Sequence, residues 1–400
     1  MVANAQAFRH FVQTQFQLSH WAARQRDDAR RQPQITAAFI FRALVYQAVL
    51  CLDSLLSVDQ WLRSPQARRL LEHTGRRSGS DTTLLRALGA WQLWRSRQAG
   101  YALHLWLRDQ GWATRTLASG RRVKPAVVDG SCFGGMWAVA LGFAGRVWQT
   151  VDVVRTHGRG HELAGARRVL GRARQRLGPG FATHVLYDGL MAVRKDFERA
   201  RLQWDTHLVV KTTEESLEVV QSCRAAWCAL ADEALRALGV EVARGVDVER
   251  MVEYVVCAQS GIRWDGLAWP LVVAWVRETP LKGKRAGQTE ECWVLSSDES
   301  LRAEELRELA HLRWAIENQG FKTLNASVGS KRAYLKDDHA REALLLIESL
   351  GLALVGAFEV WLTQQKGWRG WGVKKTRRWL GRCVEWTALE DEVLGCGGSP

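Results

Sequence analysis

The sequence predicts an α/β fold: a mixed sheet flanked by helices, with a β-rich insertion late in the sheet region and helical segments at both ends. Three observations carry this expectation. Through residues 1–115 apolar side chains recur at spacings of three and four, as in Ile35–Leu56 and Leu84–Leu107, and strand-like alternation is absent. From Arg121 the texture changes to short apolar runs separated by glycines, read in the order β-β-β-α-β-α-β. From Leu301 a strong helical pattern returns and runs on towards the C-terminus.

Each element has its own signal. Ser78-Gly79-Ser80-Asp81 is a turn with a good N-cap, followed by the helical run TTLLRALGAWQLWR. A turn feeding a short Arg-bearing helix suits a helix-turn-helix, and equally a plain bundle with a solvated basic face. Lys124–Phe133 is a short strand carrying Asp129. Met136–Phe143 and Val147–Arg155 follow as two more strands of an antiparallel meander. An Arg-rich helix, His161–Leu177, stops at Gly178-Pro179-Gly180. The fourth strand, Ala182–Tyr187, ends at Asp188-Gly189; a helix at about Met191–Leu202 leads to the strand Thr206–Lys211.

Residues 212–300 read as the β-rich insertion, with a helix near Arg224–Leu238 and strands at Glu253–Ala258, Leu271–Glu278 and Cys292–Leu295. The helix from Leu301 is SLRAEELRELAHLRWAIENQGFKTLN, with Ser300 as its expected cap and Glu304 and Glu305 in its first turns. On one continuous helix, Arg313 and Glu317 share a face one turn apart. The expected division is therefore 1–120 helical and basic, 121–211 the first part of the sheet domain, 212–300 the insertion, 301–345 the last part of that domain, and 346–400 a helical C-terminal region.

The 400 residues carry 56 Lys and Arg against 42 Asp and Glu, a formal net charge of +14, with 47% hydrophobic residues. That apolar fraction is ordinary for a globular chain and excludes a disordered one. Residues 1–124 hold 19 of the basic and 7 of the acidic residues, so most of the excess sits there. A second basic stretch, Lys366–Arg382, interleaves seven basic residues with Trp368, Trp371 and Trp379. Charge of this kind points to a polyanion, most simply nucleic acid, although an Arg-rich composition alone produces the same balance. Indoles so placed stack on bases or pack a core.

The eight cysteines include no CxxC pair, and Cys223 and Cys228 lack a His-x-x-x-His partner, so no structural zinc site is expected. With no apolar signal segment in MVANAQAFRHFVQTQFQ, they read as reduced thiols of a cytoplasmic protein. Arg42 interrupts ITAAFIFRALVYQAVLCL and Glu348 interrupts ALLLIESLGLALVGAF; both read as core helices, and no membrane partner is expected.

Three acidic residues stand out by position: Asp129 on the first strand, Asp188 at the end of the fourth, and Glu317 on the late helix. Taken singly, an Asp before Gly is a turn residue and Glu317 is half of a surface pair. Taken together, in a sheet whose first and fourth strands are neighbours, they suit two hard cations, Mg²⁺ or Mn²⁺, set on either side of a phosphodiester. No Walker loop, GxGxxG or Ser-His-Asp pattern accompanies them.

These residues resemble a family. AVVDGS at 126–131 and VLYDG at 185–189 are similar to the first two acidic motifs of bacterial insertion-sequence DDE transposases. HLRWAIENQGFKTLN at 311–325 is similar to their third motif, and SDTTLLRAL at 80–88 resembles their N-terminal region. The resemblance spans about residues 80–330. It departs at Ala310, where the family has Tyr, and at Asn325, where a Lys commonly follows. What it implies is an RNase H-like core that cuts and joins DNA with two Mg²⁺ or Mn²⁺ ions on Asp129, Asp188 and Glu317. It further implies Arg313, Lys322, Lys331 and Arg332 as DNA contacts, double-stranded transposon ends and target as partners, and a dimer on DNA. A nuclease of the same fold and a non-catalytic DNA-binding derivative share these residues and stay open beside it.

Overall fold

In the computed structural model, residues 5–28, 34–71, 79–189, 193–213, 216–328, 335–364, 375–376 and 380 are described. The chain divides into two compact units. The first comprises Met1–Ala113, Gly130–Val169 and Glu317–Pro400; the second comprises Thr114–Asp129 and Leu170–Ile316.

The first unit is built on helices. Its centre is α14 (Asp338–Thr363), which packs on α3 (Ala37–Leu50), α7 (Leu93–Asp109) and strand β5 (Trp148–Arg155). By length and apolar composition α14 qualifies as a membrane span, against the expectation from Glu348, but its apolar stretch is wholly buried inside this unit. Such a helix, hydrophobic all round, belongs in a protein core as readily as in lipid. Gly351 is required at its crossing with α3, because a Cβ there would stand 2.7 Å from the Val45 carbonyl oxygen. Phe8 and Phe11 of α1 (Ala5–Thr14) meet the Phe358 ring, both at 5.4 Å between centroids. All three rings are fully buried, each worth roughly 2–3 kcal/mol of transfer free energy.

A charged cluster is enclosed in the same unit. Arg97 of α7 donates from Nε to Asp152 of β5 at 2.9 Å and from Nη2 to the Val153 carbonyl at 3.0 Å. It also pairs with Glu342 of α14. Tyr101 donates its hydroxyl to the second Asp152 oxygen at 2.9 Å. The short helix α6 (Asp81–Gly89) starts where expected: Ser80 Oγ accepts from the Thr83 N–H at 3.2 Å. The basic, Trp-rich stretch 366–382 lies almost entirely outside the described residues.

The strands of this unit follow the order β5-β4-β3, where β4 is Met136–Ala144 and β3 is Pro125–Phe133. The division of the chain falls within β3, after Asp129. In the second unit the order runs β3-β6-β7-β11-β10-β9-β8. Here β6 (His184–Asp188) is parallel to β3, and β7 (His207–Thr212) is parallel to β6. β11 (Glu290–Ser296), β10 (Leu271–Pro280), β9 (Val252–Ile262) and β8 (Glu241–Asp247) continue antiparallel. The mixed α/β architecture is as expected, and the strands of 212–300 extend the same run of strands through β7 and β11.

Several elements differ from expectation. The basic N-terminal helices stop at Asp109, and a two-stranded hairpin follows, β1 (Arg115–Thr116) with β2 (Arg122–Val123). The expected helix over 224–238 is two helices, α10 (Glu218–Trp227) and α11 (Asp232–Ala237), because Ala231 is extended and starts a second helix with Asp232 and Glu233 in its first turn. β8 was not expected: as the edge strand it buries little, and its sequence EVARGVD lacks a clean apolar face. The late helix is interrupted. α12 (Ala303–Leu312) ends at Arg313, and Ile316–Phe321 form a π-helical turn before α13 (Lys322–Val328). Its cap is Arg302, whose N–H donates to Glu305 at 3.0 Å, while Ser300 donates its hydroxyl to Asp298 at 2.6 Å.

Candidate functional site

In β3 the run Ala126-Val127-Val128 is fully buried, as are Val185, Leu186 and Tyr187 in β6. Strands apolar on both faces belong in the interior of a parallel sheet, and these two pair in parallel as Ala126 with Val185 and Val127 with Leu186. The same offset sets Asp129 beside Asp188, the last residue of β6. Loops just past the C-terminal ends of parallel strands are where α/β sheets bind ligands. Asp188 turns there: its Oδ1 accepts the Gly189 N–H at 2.5 Å. Gly189 has to be glycine, because a Cβ would lie 2.4 Å from Thr212 Oγ1 and 2.9 Å from its Cα.

One cation sits against both carboxylates. Arg313 Nη1 is 3.5 Å from Asp129 Oδ2 and 3.7 Å from Asp188 Oδ2. The Arg313 and Asp129 side chains are 10% and 14% exposed, whereas Asp188 is 42% exposed and faces solvent. Arg313 follows α12 as its C-terminal cap, and Glu317 lies in the π turn.

Arg313 and Asp188 line a pocket of about 270 Å³ together with Lys211, Glu278, Cys292 and Trp314. Lys211 is the ladder partner of Asp188 on β7, and its Nζ lies 3.9 Å from the centroid of the Trp314 ring. Arg250 approaches the same indole at 5.5 Å. Glu278 of β10 anchors α12 from below: it accepts from Arg307 Nε at 2.7 Å and from His311 Nε2 at 2.7 Å. Arg307 reaches Asp247 as well, at 3.0 Å. Burial alone would raise the Glu278 carboxyl, but the His311 and Arg307 contacts outweigh it and hold it at about 2. Burial lowers His311 from the ordinary imidazole range, against the pull of Glu278. Burial also pushes the Cys292 thiol up to about 11.

The first unit carries Glu317, in the π turn that also contains Gly320 and Phe321. π turns are uncommon, and they recur at functional positions. Phe321 packs edge-to-face on Phe133 at 5.2 Å, which anchors the turn. Lys322 donates to Asn318 Oδ1 at 2.7 Å. Lys331 and Arg332 lie outside the described residues. Of the insertion tryptophans, Trp293 stacks on Trp275 at 6.1 Å and Trp264 packs edge-to-face on Phe197, so both serve the core. Trp269 lies under the Arg201 guanidinium, 4.8 Å away.

The structure thus brings together Asp129, Asp188 and Arg313 in the second unit, and Glu317 belongs to the first. Among the described residues, no group of three or more His, Cys, Asp or Glu side chains is gathered to hold a metal ion. Sequence reasoning missed Lys211, Glu278 and Trp314 as neighbours of Asp188. For Lys211 there was a usable signal: in a β-α-β unit the second strand lies beside the first, so the last residues of the two strands are neighbours.

No protein-family model matches the chain, and no curated protein matches it. Among solved structures, it is similar to a piggyBac transposase in a synaptic complex with hairpin DNA. The match has 11% sequence identity and a TM-score of 0.43, and it covers 100% of this chain and 83% of that one. A likeness that low carries no argument about fold or activity.

Proposed function

We propose that this chain is a DDE transposase that cleaves and joins double-stranded DNA. The observation that carries the reading is the placement of Asp129 and Asp188. They stand at matching positions on adjacent parallel strands, with their carboxylates turned to one shared cation. Two supporting features are the order of the strands, β5-β4-β3 with β4 and β5 antiparallel and β6 and β7 added in parallel, and the motif residues themselves. That order is compatible with an RNase H-like core.

Hard oxygen donors converging on a cation position fit Mg²⁺ or Mn²⁺, and a guanidinium now takes that position. In this reading Asp129, Asp188 and Glu317 hold two ions, which would activate water or a 3′-hydroxyl and stabilise the leaving oxygen. The protein's own groups do the positioning. Arg313, freed from the aspartates, turns to a phosphate; Lys322, Lys331 and Arg332 extend the basic track along the DNA; the basic N-terminal helices grip the element ends. The chain acts in the cytoplasm, as a dimer that holds two ends.

The test is strand cleavage by the purified full-length chain on a labelled duplex taken from the DNA flanking its gene, with Mg²⁺ or Mn²⁺. Wild type should cut, and Asp188→Ala and Glu317→Gln should not. Binding of the duplex without cleavage by any of the three would replace the enzyme with a DNA-binding protein.

A further inference from the structure

We propose that Lys211 binds the phosphate group of the nucleic-acid substrate at this site, delivered in a fixed position by the Trp314 ring; this rests on the transposase reading and adds a residue to it. Lys211 pairs with Asp188 across the parallel β6–β7 ladder, so its backbone is set next to the more exposed of the two aspartates. A lysine has four rotatable bonds, and its ammonium would ordinarily wander. Here Nζ rests 3.9 Å from the centre of the Trp314 indole, a cation–π contact that fixes its reach. Trp314 directly follows Arg313, so one short segment positions both cations.

The charges around the pocket explain why Lys211 is the one left for an external anion. Glu278 is answered by Arg307 and His311. Glu290 is answered by Arg285 at 2.6 Å, and Glu291 accepts from the Trp275 indole at 3.3 Å. Arg313 faces Asp129 and Asp188. Among the described residues Lys211 has an aromatic face for a partner and no ion pair. An ammonium held by a ring rather than a carboxylate keeps its charge for a ligand, and its ordering is already complete before the ligand arrives. The pocket, about 270 Å³, has room for a phosphodiester group beside Asp188.

The inference is tested with the full chain and the duplex from the flanking DNA, by two measurements. Binding is followed against salt concentration, and cleavage with Mn²⁺ is followed at saturating DNA. Lys211→Gln should lower the salt slope of binding by about one and slow cleavage roughly 100-fold. Lys211→Arg, which restores the charge, should recover most of both. Lys195→Gln, on the exposed surface of the helix Arg194–Arg199, controls for loss of any one positive charge. If Lys211→Gln fails to fold, Lys211→Met keeps the alkyl stem against the indole and takes its place. Slope and rate equal to those of Lys195→Gln would overturn the assignment while leaving the transposase reading intact. A wild type that binds but never cuts would overturn that reading, and the salt slope would then decide for or against Lys211 alone.

Discussion

Replacing Glu278 by glutamine should destabilise the second unit in a way that depends on pH. Glu278 is 15% exposed, and its carboxyl titrates near 2 in the folded chain against 4.5 for the free group. A gap of that size corresponds to about 3 kcal/mol of folding free energy at neutral pH. Part of it presumes a charged His311, whereas burial keeps that ring neutral near pH 7, where it still donates its Nε2 hydrogen. Discounting for this leaves about 2 kcal/mol, carried chiefly by Arg307. Because the folded value is the lower one, this stability is present above the unfolded pKa and is lost as pH falls towards 2. The assay is urea unfolding followed by tryptophan fluorescence, with wild type and Glu278→Gln compared from pH 7 to pH 3. The difference should be about 2 kcal/mol at pH 7 and fall to less than half by pH 3. A difference that stays constant across that range would mean that Glu278 acts through packing, and the charge argument would be refuted.

Three other outcomes follow from the same contacts. Gly189→Ala forces a methyl against the Thr212 backbone and displaces Asp188, so it should cost about 1–3 kcal/mol in thermal unfolding and reduce cleavage together with stability. Arg97→Met removes the cation that Asp152 and Glu342 share in the first unit, so its melting transition should fall by the equivalent of about 3–5 kcal/mol. Cys292, with its thiol at about 11, should resist iodoacetamide at pH 8 over times in which the exposed Cys228 reacts; modification of Cys292 at a comparable rate would contradict the raised thiol.

The parts of this fold that show in the sequence are those governed by local pattern. The strands carrying Asp129 and Asp188 are continuous apolar runs bounded by glycine, and both were placed to within a residue or two. The adjacency of those strands entered only as a condition for the acidic cluster, and the parallel pairing of β3 with β6 meets it. What did not show depends on distant partners. Nothing near Arg313 signals that α12 stops there, and its two aspartate partners lie on other strands. The apolar spacing simply continues through Ile316 and Leu324, so one helix was expected where there are two with a π turn between. Ser300 reads as a cap by type, yet Asp298 and Arg121 claim its hydroxyl and Arg302 takes the position. Lys211 and Glu278 are ordinary strand residues until β7 is set beside β6 and β10 under α12.

The most direct test of the central claim is whether the chain joins DNA as well as cutting it. Purified wild type is incubated with Mg²⁺, a duplex bearing the flanking element end and a circular target, and the products are sequenced across new junctions. The account predicts junctions that link the 3′ end of the element to target DNA, made by wild type and absent with Asp129→Asn. Cut ends with no junction would make the protein a nuclease, and uncut DNA would leave it without the activity proposed.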